Sequence, residues 1–439
     1  MSGTSVAIIG FLAMLALIAV RMPVGLSMLV VGAIGYSTLS GVAPFLAYMK
    51  TNPYQQFSNY TLSVIPLFIL MGAFAEQSGM ARDLFSAARS LVGHIRGGLG
   101  IAVLGACTVF GAISGSSVAT TATFGRAALP ELRRYGYEDG FSTALIAIGG
   151  VVDLLIPPSI ILVVYAIATE QNIAKLFMAA MIPGLMAVVF YAIVIMIVAR
   201  RNPSVAPTQE RPHATTIFKA LFLTWPALLV LGLVIGGIYR GVFTPTEAAA
   251  IGTVVMLAIG VLQRRLGIPE IKTAMVQTAQ TAGMIFIILL GAEVFDAFLA
   301  LSQLPMKAAD MVRNSGLPPY AVMALLMLFY ILLGAVMDEL AMILLTLPVF
   351  FPVVQSLDFG MPPDEVGIWF GILVLMVVGV GLVAPPIGLN VFVVSAIARN
   401  VPIEKTYRGV LPFVAADVVR IGLVILFPGI ALWLVRYLS

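Results

Sequence analysis

Apolar residues run through this chain in long stretches and do not alternate. The stretches fall at about 5–20, 23–40, 61–79, 99–125, 141–168, 176–199, 220–239, 246–263, 277–300, 319–356, 366–397 and 410–436. Runs of ~17–25 apolar residues without a period of two predict helices long enough to cross a bilayer. Four of the runs are too long or too interrupted for one straight span. The 99–125 run carries SGSSVATTATFG in its middle, and the 319–356 run holds Asp338-Glu339 followed by Pro348 and Pro352. Polar and helix-breaking residues at that depth are tolerated only where protein or a wet cavity shields the backbone. Both runs are therefore predicted to be re-entrant helical hairpins. The 141–168 and 366–397 runs contain Pro157-Pro158 and Pro385-Pro386, and each pair must break its helix.

These interruptions come in pairs. Pro157 and Pro385 stand 228 residues apart, Pro183 and Pro412 229, Gly111 and Gly334 223, and Arg21 and Arg240 219. A near-constant offset of about half the chain predicts two structural repeats. The first covers residues 1–199 and the second 220–439. Each reads as two spans, a third span, a semi-polar arm (81–98 or 301–316), a hairpin, a broken helix and a last span. Between them the polar, Pro-containing segment 200–219 reads as a cytoplasmic linker.

Composition narrows the class. Of 439 residues 61% are hydrophobic and 10% charged, with mean hydropathy +1.07. Soluble domains sit at about 45–50% and 25%, so a water-soluble globule is excluded and an all-α polytopic membrane protein is predicted. The net charge of +4 matters less than where the charges stand. With the N-terminus outside the cytoplasm, 17 of the 24 Lys and Arg fall in cytoplasmic segments. These include Arg82, Arg89, Arg133, Arg134, Arg200 and Arg211. The positive-inside rule selects that topology, and it makes the two repeats inverted, the build of a carrier. The N-terminus lacks a basic n-region and an A-x-A cleavage site, so residues 5–20 read as a retained span. Cys107, the single cysteine, lies in an apolar run and reads as a structural thiol.

No phosphate-binding loop of the G-x-x-x-x-G-K-[ST] type occurs, and His94 and His213 sit in basic loops. An intramembrane hydrolase has no imidazole at membrane depth to use, so transport is expected and enzymatic activity is not. The first candidate site is Phe110 to Gly125. Gly115 permits a tight reversal, Ser114, Ser116, Ser117, Thr120 and Thr121 offer hydroxyls, and the turn exposes carbonyls able to dehydrate a sodium ion. The second is the pair of breaks, Gly149 to Ile160 and Gly381 to Asn390. They bring in Pro157, Pro158 and Ser159 from one half, and Ala384, Pro385, Pro386, Gly388 and Asn390 from the other. Half-helix ends at mid-membrane suit cations and anionic substrate groups. Asp153 and Asp338, with Glu339, are intramembrane carboxylates, which are functional candidates by default. Asp153 is read as a sodium ligand or a carrier of a coupled proton. Sodium is placed on carbonyls near Ser114, Gly115, Gly334 and Gly381, and substrate between the hairpin tips at 111–125 and 334–352. Asp417 and Arg420, spaced i, i+3, read as a structural pair, and Thr244 to Glu247 as a capping box.

The strings GAISGSSVAT, LPELRRYGY, IPPSI, GVFTPTEAAAIGT and PPIGLNVFV, in order from residue 111 to 393, resemble the large membrane subunit of tripartite ATP-independent periplasmic (TRAP) transporters. The resemblance covers nearly the whole chain. It implies an elevator carrier in the bacterial inner membrane, built on two hairpins and two broken helices, coupled to sodium and importing a small organic acid such as a carboxylate. It also implies a periplasmic substrate-binding protein and a small four-helix membrane subunit as partners. The latter is expected as a separate chain, since the first repeat begins almost at Met1. Besides these only membrane lipid is expected, with no nucleic acid and no cofactor. Two positions depart from the family pattern: Val151-Val152-Asp153 replaces a Thr-Leu-Gly, and Ala384 replaces a Thr. The alternative is a standalone ion-coupled organic-anion symporter of similar inverted-repeat build.

The topology is testable. Single cysteines placed in the Arg133 and Asp364 loops of a Cys107→Ser background are expected to react with a membrane-impermeant thiol reagent from opposite faces. Labelling from one common face would reverse the assignment.

Overall fold

The computed structural model describes residues 2–210 and 213–438. Met1, Arg211, Pro212 and Ser439, assigned above to the repeat ends and the linker, lie outside the described residues. Among the described residues all regular structure is helical. The first half holds α1 (Gly3–Ala19), α2 (Val24–Ser40), α3 (Val42–Phe57), α4 (Val64–Gln77), the arm α5 (Met80–Val92), α6 (Gly98–Ser114), α7 (Ser117–Arg134), α8 (Asp139–Val151), α9 (Ile160–Ala168) and α10 (Ile173–Arg201). The second holds α11 (Ala214–Phe222), α12 (Trp225–Tyr239), α13 (Pro245–Leu262), α14 (Ile268–Ser302), the arm α15 (Leu304–Arg313), α16 (Pro319–Gly334), α17 (Glu339–Gln355), α18 (Pro363–Gly381), α19 (Leu389–Ile397), α20 (Ile403–Leu426) and α21 (Gly429–Leu438). Among the described residues six helical segments are long and apolar enough to cross a membrane, and a seventh if α11 and α12, bent by 47°, count as one. The chain is a multi-pass membrane protein.

Four predicted boundaries shift. Helix α3 was not anticipated: Pro44, Lys50, Asn52, Pro53, Gln55 and Gln56 break up its hydropathy, and none of its residues is buried. The linker shortens to 202–213, because α10 runs on through Arg201 and α11 begins at Ala214. The 410–436 run splits at Phe427-Pro428 into α20 and α21, where Pro428 has no amide to donate to the preceding turn. The first hairpin runs on to Arg134, past the Gly125 limit drawn from the sequence.

Helices α2 and α14 pack at backbone contact. A Cβ on Gly25 would lie 2.8 Å from the Ile288 Cα, and one on Gly32 2.8 Å from the Phe295 nitrogen. Small residues at seven-residue spacing let two membrane helices approach this closely. The deepest elements are the first halves of the two broken helices, α8 and α18. Val366 to Gly381 is buried throughout, and the Trp369 indole donates to the Val424 carbonyl at 2.9 Å. The capping box at Thr244 is present: its hydroxyl accepts from the Glu247 amide, and the Glu247 carboxylate accepts from the Thr244 amide at 2.8 Å. Cys107 is buried and free, against Gly149.

Asp417 and Arg420 form their predicted pair, at 2.7 Å and with side chains 0% and 1% exposed. The Tyr191 hydroxyl donates to the same carboxylate at 2.6 Å, and Arg420 Nη1 donates to the Pro183 carbonyl at 3.2 Å. The network therefore fastens α20 to α10. Removing one partner strands the other charge, a loss of about 3–5 kcal/mol. Arg420→Met is expected to lower the thermal midpoint of the detergent-purified protein by several degrees, and Asp417→Asn/Arg420→Met to recover most of it. A double variant no more stable than the single one would show that Asp417 is not left as a stranded charge.

Candidate functional site

Hairpin α6–α7 turns at Gly115, in the left-handed region at φ +62°, whose amide donates to the Gly111 carbonyl at 2.7 Å. Ser116 then caps α7, accepting from the Ala119 amide at 3.3 Å. The tip of the second hairpin is capped by Asp338, whose carboxylate accepts from the Leu340 and Ala341 amides at 3.0 and 3.2 Å. Ser159 and Gly388 precede the second halves of the broken helices, α9 and α19.

These four helix starts face one cavity of about 580 Å³. Its wall includes Ser116, Val118 and Ala119 at the start of α7, Ile160 and Ile161 of α9, Asp338, Glu339 and Leu340 at the start of α17, and Leu389 of α19. The opposite wall is α4 (Ile69, Gly72, Ala73, Glu76) and α14 (Gln277, Thr281, Met284, Ile285, Ile288). Gly72 brings α4 against the hairpin tip, since a Cβ there would lie 2.8 Å from the Ser114 Cα. Helix N-termini carry partial positive charge, which suits an anionic group; two of the four already have first-turn amides paired with Ser116 and Asp338, and Glu76, Asp338 and Glu339 add carboxylates to the same wall.

Of the residues chosen from sequence, Ser114, Gly115, Ser116, Asp338 and Glu339 line this cavity. Ser117, Thr120, Asp153, Ser159 and Asn390 form a fully buried layer that does not. In it Asn390 Nδ2 donates to Ser117 Oγ at 2.8 Å and to the Ala147 carbonyl at 3.2 Å. That side chain thus ties the second break to the first hairpin and the first broken helix. Pro157 and Pro158 are buried, with the Pro158 carbonyl facing the turn at Gly115. Ala384, Pro385, Pro386 and Gly388 lie off the cavity, and Pro385 and Pro386 are exposed. The Tyr407 hydroxyl meets the carbonyls of Pro386 and Ile387 at 3.2 and 2.6 Å.

The α4 and α14 wall was missed from sequence. Gln277 and Thr281, four residues apart in an apolar run and hence on one helix face, were the available signal. A second cavity of about 370 Å³ lies further along α14. Its wall includes Leu289, Glu293 and Asp296, with Thr169 and Glu170 after α9, and Leu344 and Leu347 of α17.

Hairpin and break touch in both halves. A Cβ on Gly111 would lie 2.2 Å from the Asp153 Cβ, and one on Gly381 2.6 Å from the Gly334 backbone. Gly381→Ala is expected to destabilise the protein by about 1–3 kcal/mol, since backbone cannot move aside as a side chain would. Gly105→Ala, which meets nothing within 4 Å, is the control. Equal thermal midpoints for the two variants would show that the contact is not tight.

Residues 11–430 match the family profile described as the DctM component of the tripartite ATP-independent periplasmic transporter. The chain is 36% identical over 389 residues to a C4-dicarboxylate TRAP transporter large permease protein of Pseudomonas aeruginosa, covering 88% of each chain. It is 32% identical over 432 residues to an ectoine/5-hydroxyectoine TRAP transporter large permease protein of Ruegeria pomeroyi, covering 97% of each. Among solved structures it resembles the Alcanivorax borkumensis YdaH transporter, with TM-score 0.66, 15% identity and 90% of each chain covered. That last likeness concerns the fold alone.

Proposed function

We propose, starting from the fact that this chain belongs to the family of DctM components of tripartite ATP-independent periplasmic transporters, that it imports a small organic acid across the bacterial inner membrane, driven by an ion gradient. The observation that supports an acid is the convergence of four helix N-termini on one cavity. Relatives carry names with different solutes, a C4-dicarboxylate in one and ectoine in another, so the choice of acid is not inherited from the family. Delivery is assigned to a periplasmic binding protein, and a small membrane subunit completes the assembly, in keeping with a three-part transporter.

In this reading the substrate's carboxylate is held at the starts of α7, α9, α17 and α19, and its remainder lies against Ile69, Ile285 and Ile288. Coupling sodium binds on carbonyls near Ser114 and Gly115 in one half and near Gly334 and Gly381 in the other. The two halves are inverted repeats, residues 1–199 and 220–439, whose hairpins and broken helices move together past α4 and α14 as an elevator. The recurrence of arm, hairpin, broken helix and long helix in the same order in both halves supports it. So does the placement of both hairpin tips on one cavity.

The test is uptake of a panel of radiolabelled carboxylates into proteoliposomes, with the binding protein and small subunit supplied from the neighbouring genes. Concentrative uptake is expected only with both partners and an inward sodium gradient. Equal uptake without the binding protein would favour a standalone symporter, and no uptake under any ion gradient would overturn ion-driven import.

A further inference from the structure

We propose that the solute held in the cavity at the hairpin tips is amphoteric, a small carboxylic acid that also carries a protonated amine or amidine. Its carboxylate sits at the starts of α9 and α19, and its N–H cation against Asp338 and Glu339. This deepens the proposed function and rests on its placing of the substrate in that cavity.

The four helix starts on the cavity are not equivalent. Those of α7 and α17 have amides taken by their own caps, Ser116 and Asp338. No side chain caps α9 or α19, whose first residues, Ile160 and Leu389, line the cavity. There an anionic group finds partial positive charge that no side chain has answered. The charged side chains on the wall are all carboxylates, Glu76, Asp338 and Glu339, with no lysine, arginine or histidine among the described residues lining it. Glu76 is met from outside the wall by Arg126 at 3.1 Å. Glu339 Oε2 is shielded from solvent and has no hydrogen-bond partner. With or without its proton, none of these groups supplies the positive charge that a second substrate carboxylate needs. An N–H cation supplies what the wall lacks, a donor for the unpartnered Glu339 oxygen and a charge opposite to the pair.

The neighbouring cavity repeats the pattern with different residues. It carries Glu170, Glu293 and Asp296, and again no basic side chain among the described residues that line it. Asn52 Nδ2 donates to Glu293 Oε1 at 2.8 Å, while Glu293 Oε2 and Gln56 Oε1 are shielded from solvent without a partner. Helices α14 and α17 wall both spaces. A dicarboxylate meets carboxyl groups and no basic side chain in each, whereas a zwitterion has no net charge to be repelled.

The test first reads the charge of the cavity with no solute present. Ala122 lines it from α7, and Ala122→Cys is made in a Cys107→Ser background of the full-length chain. Its rates of reaction with trimethylammonium-ethyl and sulfonato-ethyl methanethiosulfonate are each divided by the rate of a free small thiol. The cationic reagent is expected to be favoured by about tenfold or more, the scale on which a charged cleft concentrates its counter-ion. Glu339→Gln is expected to reduce that preference several-fold. Should Ala122→Cys not fold, Ala73→Cys on α4 reports on the same space. β-Alanine and γ-aminobutyrate are then expected to slow the labelling, and succinate and glutarate, their dicarboxylate counterparts in length, to leave it unchanged at equal concentration. A cysteine that reacts as fast with the anionic reagent overturns the proposal. So does protection by the dicarboxylates equal to or greater than that by the amino acids, absence of both included. Gradient-driven uptake of succinate by the assembled transporter would leave import standing and remove this substrate class. A cationic preference with amino-acid protection, but no uptake of any solute, would instead overturn the transport reading and leave the amphoteric site standing.

Discussion

A helix that stops inside a bilayer strands peptide groups that hydrocarbon cannot hydrogen-bond, and this constraint organises the rest of the molecule. At the second break the freed groups find partners. The Ile387 amide donates to the Ala335 carbonyl of the second hairpin at 3.3 Å, and the Asn390 amide to the Leu382 carbonyl across its own break at 3.0 Å. Ser116 and Asp338 supply side-chain acceptors to amides at the starts of α7 and α17. Hairpin and broken helix are thus joined by a backbone hydrogen bond in the second half, and by close packing of Gly111 against Asp153 in the first. Satisfying the backbone gathers helix starts in one place, so the binding surface follows from the solution to a folding problem.

Much of this was legible from residues alone. The Pro-Pro pairs, the run of glycine and hydroxyl residues around Gly115 and the Asp338-Glu339 step each violate what an apolar helix wants, and each lies at a break or a tip in the structure. The capping box at Thr244 and the Asp417–Arg420 pair are local, decided by spacing within one helix, and both were read correctly. What could not be read was the far wall of the cavity. The inward-facing residues of α4 and α14 are mostly isoleucine, alanine, glycine and methionine. Such side chains look the same in sequence whether they face lipid, protein or a cavity. Helix α3 was lost for the opposite reason, since its polar residues dilute hydropathy although its backbone is regular.

The two halves share an order of elements but not an environment. Pro157 and Pro158 are buried, whereas Pro385 and Pro386 are exposed and their carbonyl side is met by Tyr407. Asp153 stands where the other half has Gly381. Sequence offsets alone make the halves look interchangeable. Contacts around the breaks differ between them: the first break is sealed and carries Asp153, and the second is open and carries Gly381 at the matching place.

Helix α14 contains 35 residues, which at ~1.5 Å per residue gives a rod of about 52 Å, well beyond the ~30 Å hydrocarbon layer. It walls both cavities, one from Gln277 to Ile288 and the other from Leu289 to Asp296. The same stretch is seated against α2 on glycine. The rod is therefore a wall common to both chambers, and a helix that outreaches the hydrocarbon layer must tilt or stand beyond it.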